Sequence, residues 1–203
     1  MENTAVVAGE CIEQWGAIFK WKFEGVNPQA LWDVVSDFVA PHKWARSIVQ
    51  TCELADGEAN VAGCVRRVTF HPALPDDPPQ VAYEKLLDID HLNHCFSYSL
   101  LPGHSLQALI SVQQHRGKFR LLSESPSSSC EKDSKMNATE SFILEWSFFS
   151  SCVPDGYSEV EFIETLFSFY QTIMADFRAI LSLAEESISF LCMSSPFTAQ
   201  NEQ

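Results

Sequence analysis

Apolar and polar positions alternate with a period of two through most of the chain. In residues 13–24 (EQWGAIFKWKFE), Trp15, Ala17, Phe19, Trp21 and Phe23 fall on one face, the pattern of a half-buried strand. Further runs predict strands near 49–55, 63–70, 80–90, 94–101 and 106–122. A seventh follows in SFILEWSFFS, where Phe142, Leu144, Trp146 and Phe148 share a side. Two stretches switch to helical spacing. Asn27-Pro28 supplies a cap and a first-turn proline. Leu31, Trp32, Val35 and Phe38 then recur along one face until Pro41, and a second short helix is expected over HKWARS. Ser158 opens a long helix with Glu159 and Glu161 in its first turn, where acidic groups favour the positive end of the dipole. Its apolar stripe runs through Phe162, Leu166, Phe169, Tyr170, Ile173, Phe177, Ile180 and Leu181, and the pattern fades only around residues 190–193.

Six closely spaced strands imply antiparallel pairing. A long amphipathic helix must bury its stripe against that sheet. The predicted fold is therefore α+β, of the helix-grip type: a curved seven-stranded antiparallel sheet around a long C-terminal helix, with two short helices after the first strand. Such a sheet leaves a cavity between itself and the helix. Residues 1–11 read as a flexible leader, 12–192 as one ligand-binding domain and 193–203 as a disordered tail. Ser-rich residues 123–138 read as a long hairpin loop.

Composition narrows the partners. The 203 residues are 46% hydrophobic and include 15 Phe and 5 Trp, enough to line an apolar pocket as well as fill a core. A net charge of −14 argues against nucleic acid or an anionic membrane, both of which need a basic surface. No run is long and apolar enough to span a membrane, and no signal peptide is visible. The seven cysteines show no C-x-x-C spacing and read as reduced, mostly buried thiols of a cytoplasmic protein. The histidines have no metal-ligand spacing, so no metal or other cofactor is expected. His71, His91, His94, His104 and His115 fall in or near turns and are expected to face solvent.

The candidate chemistry lies in the hairpin of GCVRRVTF and VAYEKLLDI, residues 63–70 and 81–89. Alternation puts Cys64, Arg66, Val68 and Phe70 on one face of the first strand. It puts Ala82, Glu84, Leu86 and Asp88 on one face of the second. Arg66 and Glu84 thus have apolar neighbours and are expected to meet inside the cavity. Desolvation and a positive neighbour act on such a carboxylate in opposite directions, and the balance can leave it a usable acid or base. A guanidinium can hold that carboxylate or bind an oxyanion through two N–H groups. The same residues also fit a buried ion pair that only shapes the cavity. Trp44, Phe70, Leu86, Trp146, Phe169 and Ile173 are candidate walls.

The segments CELADGEANVAGCVRRV, AYEKL, FSYS and EWSF, together with HKW, resemble the lachrymatory factor synthase-like proteins of plants across residues 13–185. The wider superfamily includes birch pollen allergen-type carriers, polyketide cyclases, START lipid-binding domains and abscisic-acid receptors. The resemblance implies the helix-grip fold and a cofactor-free isomerase converting a sulfenic acid to a thial S-oxide. It places the family's arginine on Arg66, its glutamate on Glu84 and one tyrosine on Tyr98, a hydrogen-bond donor. The second family tyrosine falls nearest Ala108, and no tyrosine lies between Tyr98 and Tyr157. The receptors share the Arg–Glu pair. Their carboxylate-binding lysine falls near Gln50, and their latch falls on residues 103–106, which hold His104 but no arginine. Two functions stay open: a small hydrophobic metabolite is isomerised in the cavity, or a non-catalytic carrier or receptor merely holds it. In either case the chain is expected to be a monomer or weak homodimer.

Overall fold

The computed structural model describes residues 15–72, 74, 76–106, 109, 112, 115–123 and 141–195. The leader 1–11, Ala108 and nearly all of the Ser-rich loop lie outside them.

The elements run β1 (Trp15–Glu24), α1 (Pro28–Val35), a 3-10 turn at Pro41–Lys43, β2 (Val49–Asp56), β3 (Val65–Phe70), β4 (Val81–Asp90), β5 (Cys95–Leu100), β6 (His115–Ser123), β7 (Ser141–Ser150), α2 (Glu159–Ile180), a 3-10 turn at Glu185–Ser187 and β8 (Ile188–Ser194). One antiparallel sheet has the order β2-β3-β4-β5-β6-β7-β1-β8. This is the helix-grip architecture expected from the sequence, and the eighth strand adds an edge next to β1.

Each helix starts where its sequence says it should. Asn27 Oδ1 accepts the Gln29 N–H at 2.8 Å, with Pro28 in the first turn. Ser158 and Glu161 form a reciprocal capping box at the start of α2. The helix then lays Phe162, Leu166, Tyr170, Ile173, Met174 and Phe177 on the inner sheet face. Rings interlock there: Phe148 with Phe162 (5.4 Å), Trp146 with Tyr170 (4.8 Å) and Phe19 with Tyr170 (5.2 Å). Each such side chain contributes about 1.5–3 kcal/mol by leaving water. Asp176 on α2 is buried and accepts both the backbone N–H and the hydroxyl of Ser47, which ties the helix to the chain before β2.

Three details depart from the periodicity. Helix α2 stops at Ile180, not near residue 190. Ser182 adopts a left-handed φ of 54°, and Leu183 N–H reaches back to the Arg178 carbonyl, closing a Schellman-type end without glycine. The freed segment ISFLCMS becomes β8. The strand expected over 106–122 begins only at His115: of the residues before it, Leu106, Leu109 and Val112 are described and lie outside β6, with Leu109 N–H on the Leu106 carbonyl and Val112 N–H on the Leu109 carbonyl, both at 3.0 Å. Finally, the β4–β5 register slips between Leu86 and Asp88. That bulge reverses the alternation, so Asp88 is exposed, not beside Glu84, and Ile89 packs on the core.

Among the described residues no helix is long and apolar enough to cross a membrane. The five described cysteines are free; only Cys64 of these is buried, which corrects the expectation of mostly buried thiols.

Candidate functional site

Alternation on three neighbouring strands aims their inner side chains at α2. On β3 and β4, Arg66 and Glu84 are direct cross-strand partners. Glu84 in turn faces Leu100 of β5, and Tyr98 of β5 faces Gly117 of β6. Arg66 Nε donates to Glu84 Oε2 at 2.6 Å, and Nη2 lies 2.5 Å from the same oxygen. Arg66 Nη1 donates to the Phe38 carbonyl, and the guanidinium carbon sits 3.9 Å from the centre of the Phe38 ring. Both charged side chains are almost fully buried. The arginine is thus spent on Glu84 and on the chain after α1. Both of its contacts to Glu84 end on Oε2, and no described residue hydrogen-bonds Oε1.

A cavity of about 290 Å³ opens beside this pair, between the sheet and α2. Its polar lining includes Gln80, Glu84, Tyr98, His115, Thr165 and Tyr170; Phe70, Leu106, Phe148 and Phe162 are among its apolar lining. Exposed His71 and half-exposed Phe169 mark its open side. Of the residues expected from the sequence, Glu84, Tyr98, Phe70 and Phe169 line the cavity. Arg66 stands behind Glu84. Trp44, Leu86, Trp146 and Ile173 are packed in the core, outside the wall. Trp44 stacks on Phe177 (5.7 Å), and Trp146 lies against Phe119 and Tyr170.

Trp146 still shapes the site, because its indole N–H donates to the Tyr98 hydroxyl at 3.4 Å. That leaves the Tyr98 hydrogen free to donate elsewhere. Burial, with Glu84 adding to it, pushes the Tyr98 phenol well above the ordinary tyrosine range, so it stays an O–H. Tyr170 is raised in the same way by burial, then by Tyr98 and Glu84.

Two members of the wall escaped the sequence reading. Tyr170 read as one more residue of an apolar helix stripe. It brings a second phenol to Glu84 from α2, whereas the family pattern placed that phenol near Ala108, outside the described residues. His115 read as a solvent-facing turn residue. It is instead the first inward position of β6, only 8% exposed, packed on Phe148 with centroids 4.3 Å apart. Burial, helped by His104, lowers its pKa to about 3, so the imidazole is neutral. The misreading follows from taking 106–122 as one strand, which hid where β6 begins.

The arrangement defines a helix-grip cavity with a carboxylate and two phenols on its wall. No protein-family model matches the chain. Among solved structures, the fold is similar to that of ginseng major latex-like protein 151 (GLP) from Panax ginseng. One crystal structure of that protein aligns with a TM-score of 0.55 at 14% identity, over 81% of this chain and 96% of that one. A second gives 0.55 at 13% identity, over 81% and 97%. The likeness is one of fold: a curved antiparallel sheet gripping a long C-terminal helix.

Proposed function

We propose that the chain binds a small hydrophobic metabolite in the cavity and acts on it as a cofactor-free isomerase of the lachrymatory factor synthase type. The observation that carries the reading is the position of Glu84. It sits at the boundary between an ion pair and an apolar void, clamped by Arg66 from behind and open toward the ligand side. In this reading Glu84 Oε1 removes a proton from an O–H group of a conjugated substrate. The electron pair shifts along the conjugated system, and a proton returns at its far carbon. Composition is unchanged, and no redox partner is required. Tyr98 donates to the substrate oxygen as its charge develops. Arg66 positions Glu84 from behind and is not among the residues that line the cavity.

The carrier or receptor reading is favoured by one feature, the completeness of the Arg66–Glu84 pair, which is a stable arrangement without any reaction. Mass spectrometry of ligand co-purifying with native protein, followed by incubation of that ligand with the protein, separates the two. Under the isomerase reading, a product of unchanged mass accumulates and Glu84→Gln abolishes it. If the ligand is bound and recovered unaltered, the carrier reading replaces it.

A further inference from the structure

We infer that the cavity selects an uncharged ligand bearing a hydroxyl group, and that Tyr170, with Tyr98 and Glu84, reads that hydroxyl. The inference rests on the ligand-cavity reading above and specifies the chemistry that the cavity accepts.

Among the described residues, five oxygen-bearing side chains line the same void, and Thr165 and Gln80 already have partners, Thr165 on the Glu161 carbonyl; that leaves Glu84 from β4, Tyr98 from β5 and Tyr170 from α2. Trp146 links the two phenols, since it donates to Tyr98 and its ring lies 4.8 Å from that of Tyr170. The hydrogen-bond inventory of this wall is one-sided. Glu84 has Oε2 engaged by Arg66, which leaves an acceptor at Oε1. Tyr98 already accepts from Trp146 and has a donor left. No described residue hydrogen-bonds the Tyr170 hydroxyl, so it too has a donor to offer. A ligand must therefore bring a hydrogen to Glu84 and an oxygen to the tyrosines. A hydroxyl does both with one atom pair.

A carboxylate fits badly. It only accepts, and it would set a second negative charge beside Glu84. Among the described residues, no Lys or Arg lines the cavity, Arg66 lies behind Glu84, His115 is held neutral by burial, and His71 stands at the exposed mouth with Nε2 turned to the Arg46 carbonyl. A ligand without polar groups fits the apolar lining but leaves the three oxygens unmatched, which costs affinity.

The test uses three probes of one shape: naphthalene, naphthol and naphthoate, titrated calorimetrically near neutral pH. Fluorescence of the neutral reporter phenylnaphthylamine first establishes that the cavity binds at all. Naphthol is expected to bind about tenfold or more tighter than either analogue, the scale of one to two hydrogen bonds. Tyr170→Phe should lower naphthol affinity about fivefold and leave naphthalene unchanged. Glu84→Gln should reduce the discrimination between naphthol and naphthoate; if that variant does not fold, Tyr170→Phe still decides. Absence of any reporter or probe binding overturns the cavity reading itself. Reporter binding with equal affinity for naphthol and naphthoate overturns the hydroxyl inference alone, as does a Tyr170→Phe variant that holds naphthol unweakened.

Discussion

The Tyr98 ring occupies the space that a β-carbon on Gly117 would need: such a carbon would fall within 2.5 Å of the Tyr98 hydroxyl oxygen and still closer to the ring. The two residues face each other across β5 and β6. Glycine weakens a strand, so its place here follows from the ring that crosses it.

Gly117→Ala should therefore destabilise the protein by about 1–3 kcal/mol, the usual cost of overpacking. In a Tyr98→Ala background the same change should cost little, because the clash is gone. Urea denaturation of the four proteins checks the coupling. Equal costs in both backgrounds would mean that Gly117 serves the backbone, not the tyrosine.

Glu84 and Arg66 are buried together, so removing one charge strands the other. Glu84→Gln is expected to cost about 3–5 kcal/mol, and Arg66→Met a similar amount. Replacing both, as Arg66→Met with Glu84→Leu, should recover most of that loss while removing the polar wall of the cavity. The check is thermal unfolding of the three variants; a double variant as unstable as the singles would contradict the buried-pair account.

Burial at His115 makes stability depend on pH in a stated direction. Its folded pKa, about 3, lies below the ordinary 6.5, so between these values the unfolded chain holds a proton that the folded chain does not. Stability from this group is complete above pH 6.5. It declines by about 1.4 kcal/mol per pH unit as the pH falls toward the folded value. His104 is lowered by burial and acts in the same sense. His115→Gln should remove about one proton's worth of slope in that window. Denaturant midpoints measured across the window test this, and an unchanged slope would place the imidazole in water.

The outer sheet face holds another buried carboxylate. Glu145 of β7 faces Lys20 of β1 on one side and Arg120 of β6 on the other, with ion-pair distances of 3.2 and 2.7 Å. Burial pushes its pKa up, but Arg120 and Lys20 outweigh that and hold it below the ordinary range. Its contribution is present above the ordinary carboxylate value and is lost as pH falls through the folded one. Glu145→Gln should cost about 1–2 kcal/mol, because both cations remain partly in water and can turn outward. Comparing acid-unfolding curves of the two proteins checks it. The variant should lose its deficit at low pH, where the native carboxylate is itself protonated.

Much of the site is legible in the order of the residues alone. The alternation in GCVRRVTF and VAYEKLLDI puts Arg66 and Glu84 on inner faces, and the cross-strand register brings them together. Capping at Asn27 and Ser158 is equally readable, because those signals sit within four residues of each other. What the residue order does not reveal includes backbone turns without a signature residue and contacts between distant segments. Ser182 ends α2 by a backbone conformation that no glycine announces. The β-bulge after Leu86 turns Asp88 outward against the simple period.

The sequence by itself determined the faces: which residues of each strand and helix turn inward, and hence the helix-grip class and the Arg66–Glu84 pair. Periodicity is local, and burial selects it element by element. Only the tertiary structure decided what meets in the cavity. It moved Trp44, Leu86, Trp146 and Ile173 into the core, set Arg66 behind Glu84 and brought Tyr170 and His115 to the wall. The reason is geometric. A period says that a side chain points inward, but packing of α2 across the sheet decides whether it meets another side chain or an empty volume.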